Sequence, residues 1–132
     1  MEYIMATQDI ATGLAQVHRQ AITAPVSEVA GQLQELLSRR LTAVIAGVKE
    51  GKTVSRWASG EITEIRDPFT EQRLRTAYEI ALLLLEYDSP QTVRAWFIGL
   101  NPELGDVSPA EAIREGQLKD ALAAARMFAF AG

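Results

Sequence analysis

The amino-acid sequence predicts an all-α fold of about seven helices, for two reasons. Apolar residues recur at three- and four-residue spacings over most of the chain, which is the period of an amphipathic helix. In addition, Asp67, Ser89 and Ser108 each precede a proline, and a capping residue followed by proline is a typical helix start.

Composition indicates a globular protein without a membrane segment. The chain has 132 residues, 48% hydrophobic and 23% charged, which suits one domain or two small helical ones sharing a core. The longest apolar run, Ile80 to Leu85, is too short to cross a bilayer. Met1 to Ile4 lack the basic start of a secretory signal, so we expect a cytoplasmic protein.

The sequence offers few groups for catalysis or metal binding. It has no cysteine and a single histidine, His18, which excludes thiol chemistry and Cys- or His-rich metal sites. Glu111 and Glu115 lie one helical turn apart as paired carboxylates do, but on an exposed helix such a pair is usually a solvated face. We therefore expect no enzyme, no cofactor and no metal.

The N-terminal part reads as an extension followed by short helices. Residues 1–25 stay unassigned, with a short helix possible around Ile10, Leu14 and Val17. Ser27 is the expected N-cap of the next helix, and a second short helix is expected to start near Arg40. A turn bracketed by Gly47 and Gly51 then leads to a helix over 52–58, with Gly60 as its C-terminal stop.

The C-terminal part reads as four helices after an extended connector over 61–68, where a short strand is possible. The long helix after Asp67 has an apolar stripe of Leu74, Ala77, Tyr78, Ala81, Leu82 and Leu85. Helices after Ser89 and Ser108 follow, and Gly116 separates them from a last helix over 118–130. There Leu122, Ala125, Met127 and Phe130 are available for packing.

Charge is distributed unevenly along the chain. The net charge is −4, and residues 1–62 carry six basic and six acidic side chains, so the whole excess falls on residues 63–132. Five basic residues nevertheless fall within eighteen positions: Arg39, Arg40, Lys49, Lys52 and Arg56. Any surface that faces phosphates is expected there, although a solvated helix face explains the same residues.

The segment over 41–60 has the features of a helix-turn-helix. Ala43 is small enough for a close helix crossing, Gly47 suits the turn, and Val54 supplies an apolar lock. Trp57 is expected to bury against the first helix. The second helix would then present polar and basic side chains to DNA: Lys49, Lys52, Thr53, Ser55 and Arg56. An ordinary helical hairpin anchored by a tryptophan is the alternative.

The segment over 96–116 reads as a helix, a tight turn and a second helix. Asn101 and Pro102 make the turn, and Leu104 is expected to pack back onto the core. Trp96, Phe97 and Ile113 are expected core residues, so a purely structural role is one interpretation.

Both segments are similar to one protein family. The residues Thr-Val-Ser-Arg-Trp-x-x-Gly over 53–60 resemble the end of the recognition helix in XRE-type DNA-binding domains. The order Trp96, then Asn-Pro-x-Leu-Gly over 101–105, then Pro109, resembles the C-terminal domain of the Xre/MbcA/ParS antitoxin family. Together the resemblance covers roughly residues 28–131. It implies an XRE-like helix-turn-helix over 26–66, joined by a long helix to a small C-terminal partner-binding domain within 67–132.

The resemblance also implies partners. Antitoxins of this family bind and inhibit RES-domain toxins, which act on NAD, and repress their own promoter, commonly as homodimers. The residues implied to face the toxin are Asn101, Pro102, Glu103, Leu104, Arg114, Met127 and Phe128. A stand-alone transcriptional regulator without a toxin, or a scaffold that no longer contacts DNA, are alternative hypotheses.

Overall fold

The chain folds into helices joined by short connections. The computed structural model describes the backbone of residues 2–131 and the side chains of residues 9–131. Within this part there are eight α-helices and no strand, which confirms the all-α prediction. The helices are α1 (Glu2–Thr23), α2 (Val26–Leu37), α3 (Arg39–Ala46), α4 (Gly51–Ser59), α5 (Pro68–Leu85), α6 (Pro90–Ile98), α7 (Pro109–Arg114) and α8 (Leu118–Phe130), with a 3₁₀ turn at Pro102–Leu104 between α6 and α7.

Three helices begin at the proline starts that the sequence predicts. Helices α5, α6 and α7 each have proline in the first turn, after Asp67, Ser89 and Ser108 respectively. In each case the capping side-chain oxygen accepts a backbone N–H two or three residues further on. These bonds satisfy donors that a helix start leaves without an intrahelical partner.

The junction of α2 and α3 differs from the prediction. Helix α2 begins at Val26, with Pro25 as its N-cap and no side-chain cap, so the prediction that Ser27 is the N-cap is wrong. Ser38 separates α2 from α3 by a single residue and adopts a φ of 100°, which is unusual for a residue other than glycine. Its hydroxyl accepts the N–H of Leu41 at 3.1 Å and thereby caps α3.

The connector over 61–67 is extended but forms no strand. A strand needs a hydrogen-bonded neighbour, and the only bridge in the described residues joins Asn101 to Val107 elsewhere. Ile62 and Ile65 instead pack, half-buried, against the helical core. The short strand that their alternation left possible is therefore absent.

Helix α5 is the centre of the molecule. It packs against α1, α2, α3, α6, α7 and α8. Its buried face is broader than the predicted stripe, because Ile80, Leu83 and Leu84 are buried as well. Leu85, which the stripe included, is exposed at the end of the helix. A helix in contact with neighbours on most sides must be apolar over most of its circumference.

One hydrophobic core joins the three predicted segments, 1–25, 26–66 and 67–132. Buried side chains from all three form a single cluster that runs from Val17 to Ala125. Helix α4 packs mainly on α2 and α3, whereas α8 packs on α5, α7 and the 3₁₀ turn. The N-terminal helices and the C-terminal helices thus both pack on α5 and on each other within one packed unit.

The unassigned N-terminal segment is a long helix docked on α5. Val17, Ala21 and Ala24 are buried there, whereas Ile10 is exposed, so the interface lies toward the end of α1. Two polar contacts support it: His18 Nδ1 lies 2.9 Å from Oε1 of Glu79, and Gln20 donates to the Tyr78 hydroxyl at 3.3 Å. Burial raises the pKa of Tyr78 above its ordinary value, so the phenol remains protonated.

Arginines from the C-terminal part of the chain donate hydrogen bonds to carbonyl groups at the C-terminal ends of α1 and α2. Arg75 donates to the carbonyl oxygens of Ala21 and Ala24 at 3.0 and 2.8 Å, and Arg94 donates to that of Leu36 at 2.9 Å. Helices α1 and α2 have no basic residue in their own last turns. The cations that satisfy their terminal carbonyls and dipoles therefore come from α5 and α6.

The difference between Leu84 and Leu85 gives a stability test. Leu84 is fully buried and Leu85 is 40% exposed. Leu84→Ala is expected to lower the free energy of unfolding by about 2–5 kcal/mol, because it leaves a cavity beneath α5. Leu85→Ala is expected to cost less than about 1 kcal/mol. Urea unfolding of both variants is the measurement, and equal losses would contradict the orientation of α5.

The docking of α1 gives a second test. Arg75→Met would leave the carbonyls of Ala21 and Ala24, and the carboxylate of Glu71, without their guanidinium partner. We expect a loss of about 1–3 kcal/mol in the free energy of unfolding and faster amide exchange in α1. Arg66→Met, the same change at an exposed arginine, is the control. Identical exchange in both variants would show that Arg75 does not hold α1.

Candidate functional site

Helices α3 and α4 are joined by a four-residue turn over 47–50. Gly47 ends α3 in the left-handed conformation, with φ 79°, and its N–H bonds to the carbonyls of Ala43 and Val44. A side chain there would also meet the guanidinium of Arg73, because a Cβ would lie 3.1 Å from Nη1. Gly60 ends α4 in the same conformation. The predicted turn and stop positions are therefore confirmed.

The inner face of α4 holds the helix against its neighbours. Val54 is fully buried and Trp57 nearly so, and α4 packs on both α2 and α3. Ala43 of α3 is buried, which is consistent with a close approach of the two helices. Burial of Val54 and Trp57 agrees with the predictions made for them and fixes which side of α4 faces solvent.

The outer face of α4 carries the side chains that the sequence assigned to DNA. Lys52 and Arg56 are exposed and lie one helical turn apart, while Thr53 and Ser55 are half-buried. Lys49 is exposed in the turn before the helix. Arg56 lies 3.7 Å from Glu61, a loose surface pair that leaves its guanidinium accessible.

Arg39 extends this surface beyond the predicted set. Its Nη1 donates to the hydroxyl of Ser55 at 3.4 Å, which places an α3 side chain against α4. Gly51 makes room for it, since a Cβ there would lie 3.0 Å from Cγ and Nε of Arg39. The cluster of basic residues was visible in the sequence, but the contact of Arg39 with Ser55 depends on how the two helices cross.

Arg114 lies with the basic residues of α3 and the turn. It lines a surface depression together with Arg39, Arg40 and Lys49, and neither Met127 nor Phe128 lines that depression. The role of Arg114 toward a toxin stays a prediction. Helix α7 packs directly on α3, which brings Arg114 to this position.

The turn over 101–107 is held by its own hydrogen bonds. The Asn101 side chain accepts the N–H of Glu103 at 2.9 Å, and its backbone N–H bonds to the carbonyl of Val107 at 3.0 Å. Leu104 is buried, which confirms the expectation that it packs back onto the core and leaves little of its side chain for a partner. Pro102 and Glu103 remain exposed. Asp106 is exposed as well, so these three residues of the turn present side chains to solvent.

The end of α8 exposes a group of large apolar side chains. Met127 and Phe128 are 54% and 41% exposed, and Phe130 is exposed beside Tyr87, with ring centroids 5.3 Å apart. Met127 and Phe130, which the sequence left available for packing, are therefore exposed, because the inner face of α8 is lined by Ala121, Ala124 and Ala125. We call Tyr87, Met127, Phe128 and Phe130 the C-terminal apolar patch.

A further depression, which the sequence did not predict, lies between α1, α5 and α8. Its lining includes His18, Glu79, Glu71 and Arg75, which pair with one another as His18–Glu79 and Arg75–Glu71 at 2.9 Å each. No signal in the sequence indicates that His18 meets Glu79. Among the described residues no group of three or more His, Asp or Glu is arranged to hold a metal ion.

Comparison of the chain with protein-family models, curated proteins and solved structures gives no match. In the part of the chain that the structure describes, no helix is both long and apolar enough to cross a membrane. Interpretation of the surfaces therefore depends on their own chemistry and on the motifs described above.

Proposed function

We propose that this chain is an antitoxin-like protein that inhibits a RES-type, NAD-acting toxin and represses its own promoter. The observation that carries the proposal is the presence of two distinct surfaces on one small fold. One is the polar and basic outer face of α4, and the other is the C-terminal apolar patch. Each has the composition that its proposed partner requires.

The α4 surface has chemistry suited to duplex DNA. Lys52 and Arg56 supply charge for phosphates, and the hydroxyls of Thr53 and Ser55 supply donors and acceptors for base edges or phosphate oxygens. Burial of Val54 and Trp57 anchors the opposite face of the helix, so its outer face is presented on a rigid element. A two-turn helix held in this way fits the major groove.

The C-terminal apolar patch has chemistry suited to a protein partner. Aromatic residues and methionine are enriched in protein interfaces, and exposed groups of them commonly mark binding sites. Phe128 also contacts Trp96, with ring centroids 6.2 Å apart, so it is supported from beneath. Pro102 and Glu103 add exposed groups from the neighbouring turn, against which α8 packs.

The charge distribution supports the same arrangement. The net charge of −4 falls on residues 63–132, which is the part proposed to cover a nucleotide-binding cleft. Complementary charge accelerates the encounter of an inhibitor with a basic pocket. Absence of any salt dependence in toxin binding would remove this electrostatic contribution.

Two copies of the chain are proposed to bind one promoter site. Paired half-sites one helical turn apart are the usual arrangement for a helix-turn-helix protein. Within the run of four leucines over 82–85, Leu83 and Leu84 are buried and Leu82 is half-buried, which leaves Leu85, 40% exposed, as the leucine accessible to such a dimer. Other exposed apolar side chains would have to form most of the dimer contact.

The DNA-binding part of the proposal is tested at Lys52 and Arg56. Lys52→Ala with Arg56→Ala is expected to weaken binding to the chain's own promoter and to flatten the salt slope by about one unit per lost phosphate contact. Lys119→Ala with Arg126→Ala removes the same two charges from exposed positions on α8 and is the matched control. Equal behaviour of the two double variants would exclude α4 as the contact surface.

The partner-binding part is tested at Phe128. Tagged wild-type chain is expected to recover one small NAD-acting protein in stoichiometric amount from a lysate of the source cells. Phe128→Ala is expected to weaken that complex by about tenfold or more, as loss of an interface aromatic commonly does. Phe69→Ala, at an exposed phenylalanine on the first turn of α5, is the control.

The outcomes of the capture experiment separate the two candidate functions. Recovery of promoter DNA without any protein would indicate a stand-alone regulator, which is the alternative function. Equal recovery of the toxin by Phe128→Ala and Phe69→Ala would exclude the C-terminal apolar patch as the inhibitory surface. Urea unfolding of Phe128→Ala distinguishes loss of binding from loss of folding.

A further inference from the structure

We propose that Arg39, Arg40, Lys49 and Arg114 form a binding site for backbone phosphates of duplex DNA. In this arrangement α7, which belongs to the predicted partner-binding part of the chain, contributes directly to the nucleic-acid surface. The inference rests on the proposed DNA-binding function and extends the contact surface from α4 and the preceding turn to Arg39, Arg40 and Arg114. We call the surface depression that these four residues line the basic depression.

The basic depression is a concave site with cations around it. It has a volume of about 410 Å³ and lies where α3, the following turn and α7 meet. The rest of its lining is small or apolar: Ala43, Val44, Val48 and Gly51. No carboxylate lines it. A ligand seated there would therefore meet only positive side chains and apolar or backbone groups.

No ion pair found among the described residues involves the four cations of the basic depression. Those ion pairs are His18–Glu79, Arg56–Glu61 and Arg75–Glu71. Glu111 and Glu115 line an adjoining depression, beside Arg114, without pairing with it within 4.0 Å. On a chain with a net charge of −4, four such cations around one depression are an unusual concentration.

The basic depression is continuous with the outer face of α4. Arg39 spans the two, because it lines the depression and also donates to Ser55. Gly51, the first residue of α4, lines the depression as well, and no side chain caps the start of this helix. Unpaired N–H groups and the positive end of a helix dipole favour an anion beside that position.

The chemistry of the site favours phosphodiester groups. Guanidinium groups match phosphate oxygens in a planar, often bidentate geometry, and three of the four cations are arginines. The sugar-phosphate backbone of a bound DNA duplex would cross from the α4 surface into the depression and contact Arg39 before Arg114. A free phosphate ion has the same local chemistry but could not connect the two surfaces, which makes the two ligands distinguishable.

The test is the salt dependence of binding to a short mixed-sequence DNA duplex, measured by fluorescence anisotropy. Arg114→Gln is expected to reduce the slope of log affinity against log salt by about 0.9, the value for one lost phosphate contact. Arg126→Gln, an equal change at an exposed arginine on α8, is the control and is expected to keep the wild-type slope. The triple variant Arg39→Gln, Arg40→Gln, Arg114→Gln is expected to lose about 2–3 units.

The outcomes distinguish this inference from the proposed function. If Arg114→Gln and Arg126→Gln give the same slope while Lys52→Ala with Arg56→Ala weakens binding, the basic depression is excluded and α4 remains the DNA surface. If the wild-type chain shows no salt-dependent binding to any duplex, both are overturned. If Arg114→Gln reduces the slope and the α4 double variant does not, the depression stands and the α4 assignment fails.

Amide shift mapping supplies an independent readout. Titration with the duplex is expected to shift the amides of Gly51, Ser55 and Arg114 together, since one backbone would contact the whole surface. Titration with inorganic phosphate serves as the comparison. Shifts at Gly51 and Arg114 with phosphate, but not with duplex, would overturn the proposal in favour of a small-anion site. The amide spectrum of Arg114→Gln also verifies that the variant is folded.

Discussion

Burial of α5 is the constraint on which the rest of the fold depends. An eighteen-residue helix with nine buried side chains is not stable beside water, so neighbours must cover it on most sides. Helices α1, α2 and α3 cover one part, and α6, α7 and α8 cover the remainder. Because helices from both ends of the chain cover α5, the two ends share one hydrophobic core. The burial of α5 also determines where α3 and α7 meet, and thus where Arg114 lies.

Polar contacts select the arrangement of helices around α5. Arg75 and Arg94 bond to the terminal carbonyls of α1 and α2, and Glu79 meets His18 of α1 across the same interface. Each contact joins residues more than fifty positions apart and satisfies groups that would otherwise lack a partner. Hydrophobic burial brings the helices together but does not strongly favour one alignment of neighbouring helices. These hydrogen bonds form in one particular alignment and therefore favour it.

The two proposed surfaces follow from which side chains of α4 and α8 are buried and which are exposed. On α4 the two large apolar residues, Val54 and Trp57, are committed to the core, which leaves the cationic side chains outside. On α8 alanines supply most of the inner face, Phe128 continues it toward Trp96 while staying 41% exposed, and Met127 and Phe130 lie outside it. The contrast explains why one surface suits phosphates and the other suits a protein.

The sequence by itself determined the all-α class, the proline starts of α5, α6 and α7, and the glycine ends of α3 and α4. These features depend on residues close together in the chain, through capping bonds and backbone conformations that act locally. Tertiary structure alone decided that residues 2–23 form a docked helix, that Met127 and Phe130 are exposed, and that Arg114 joins Arg39. Those outcomes depend on which faces meet across α5, and local periodicity does not specify the neighbour that covers a given face.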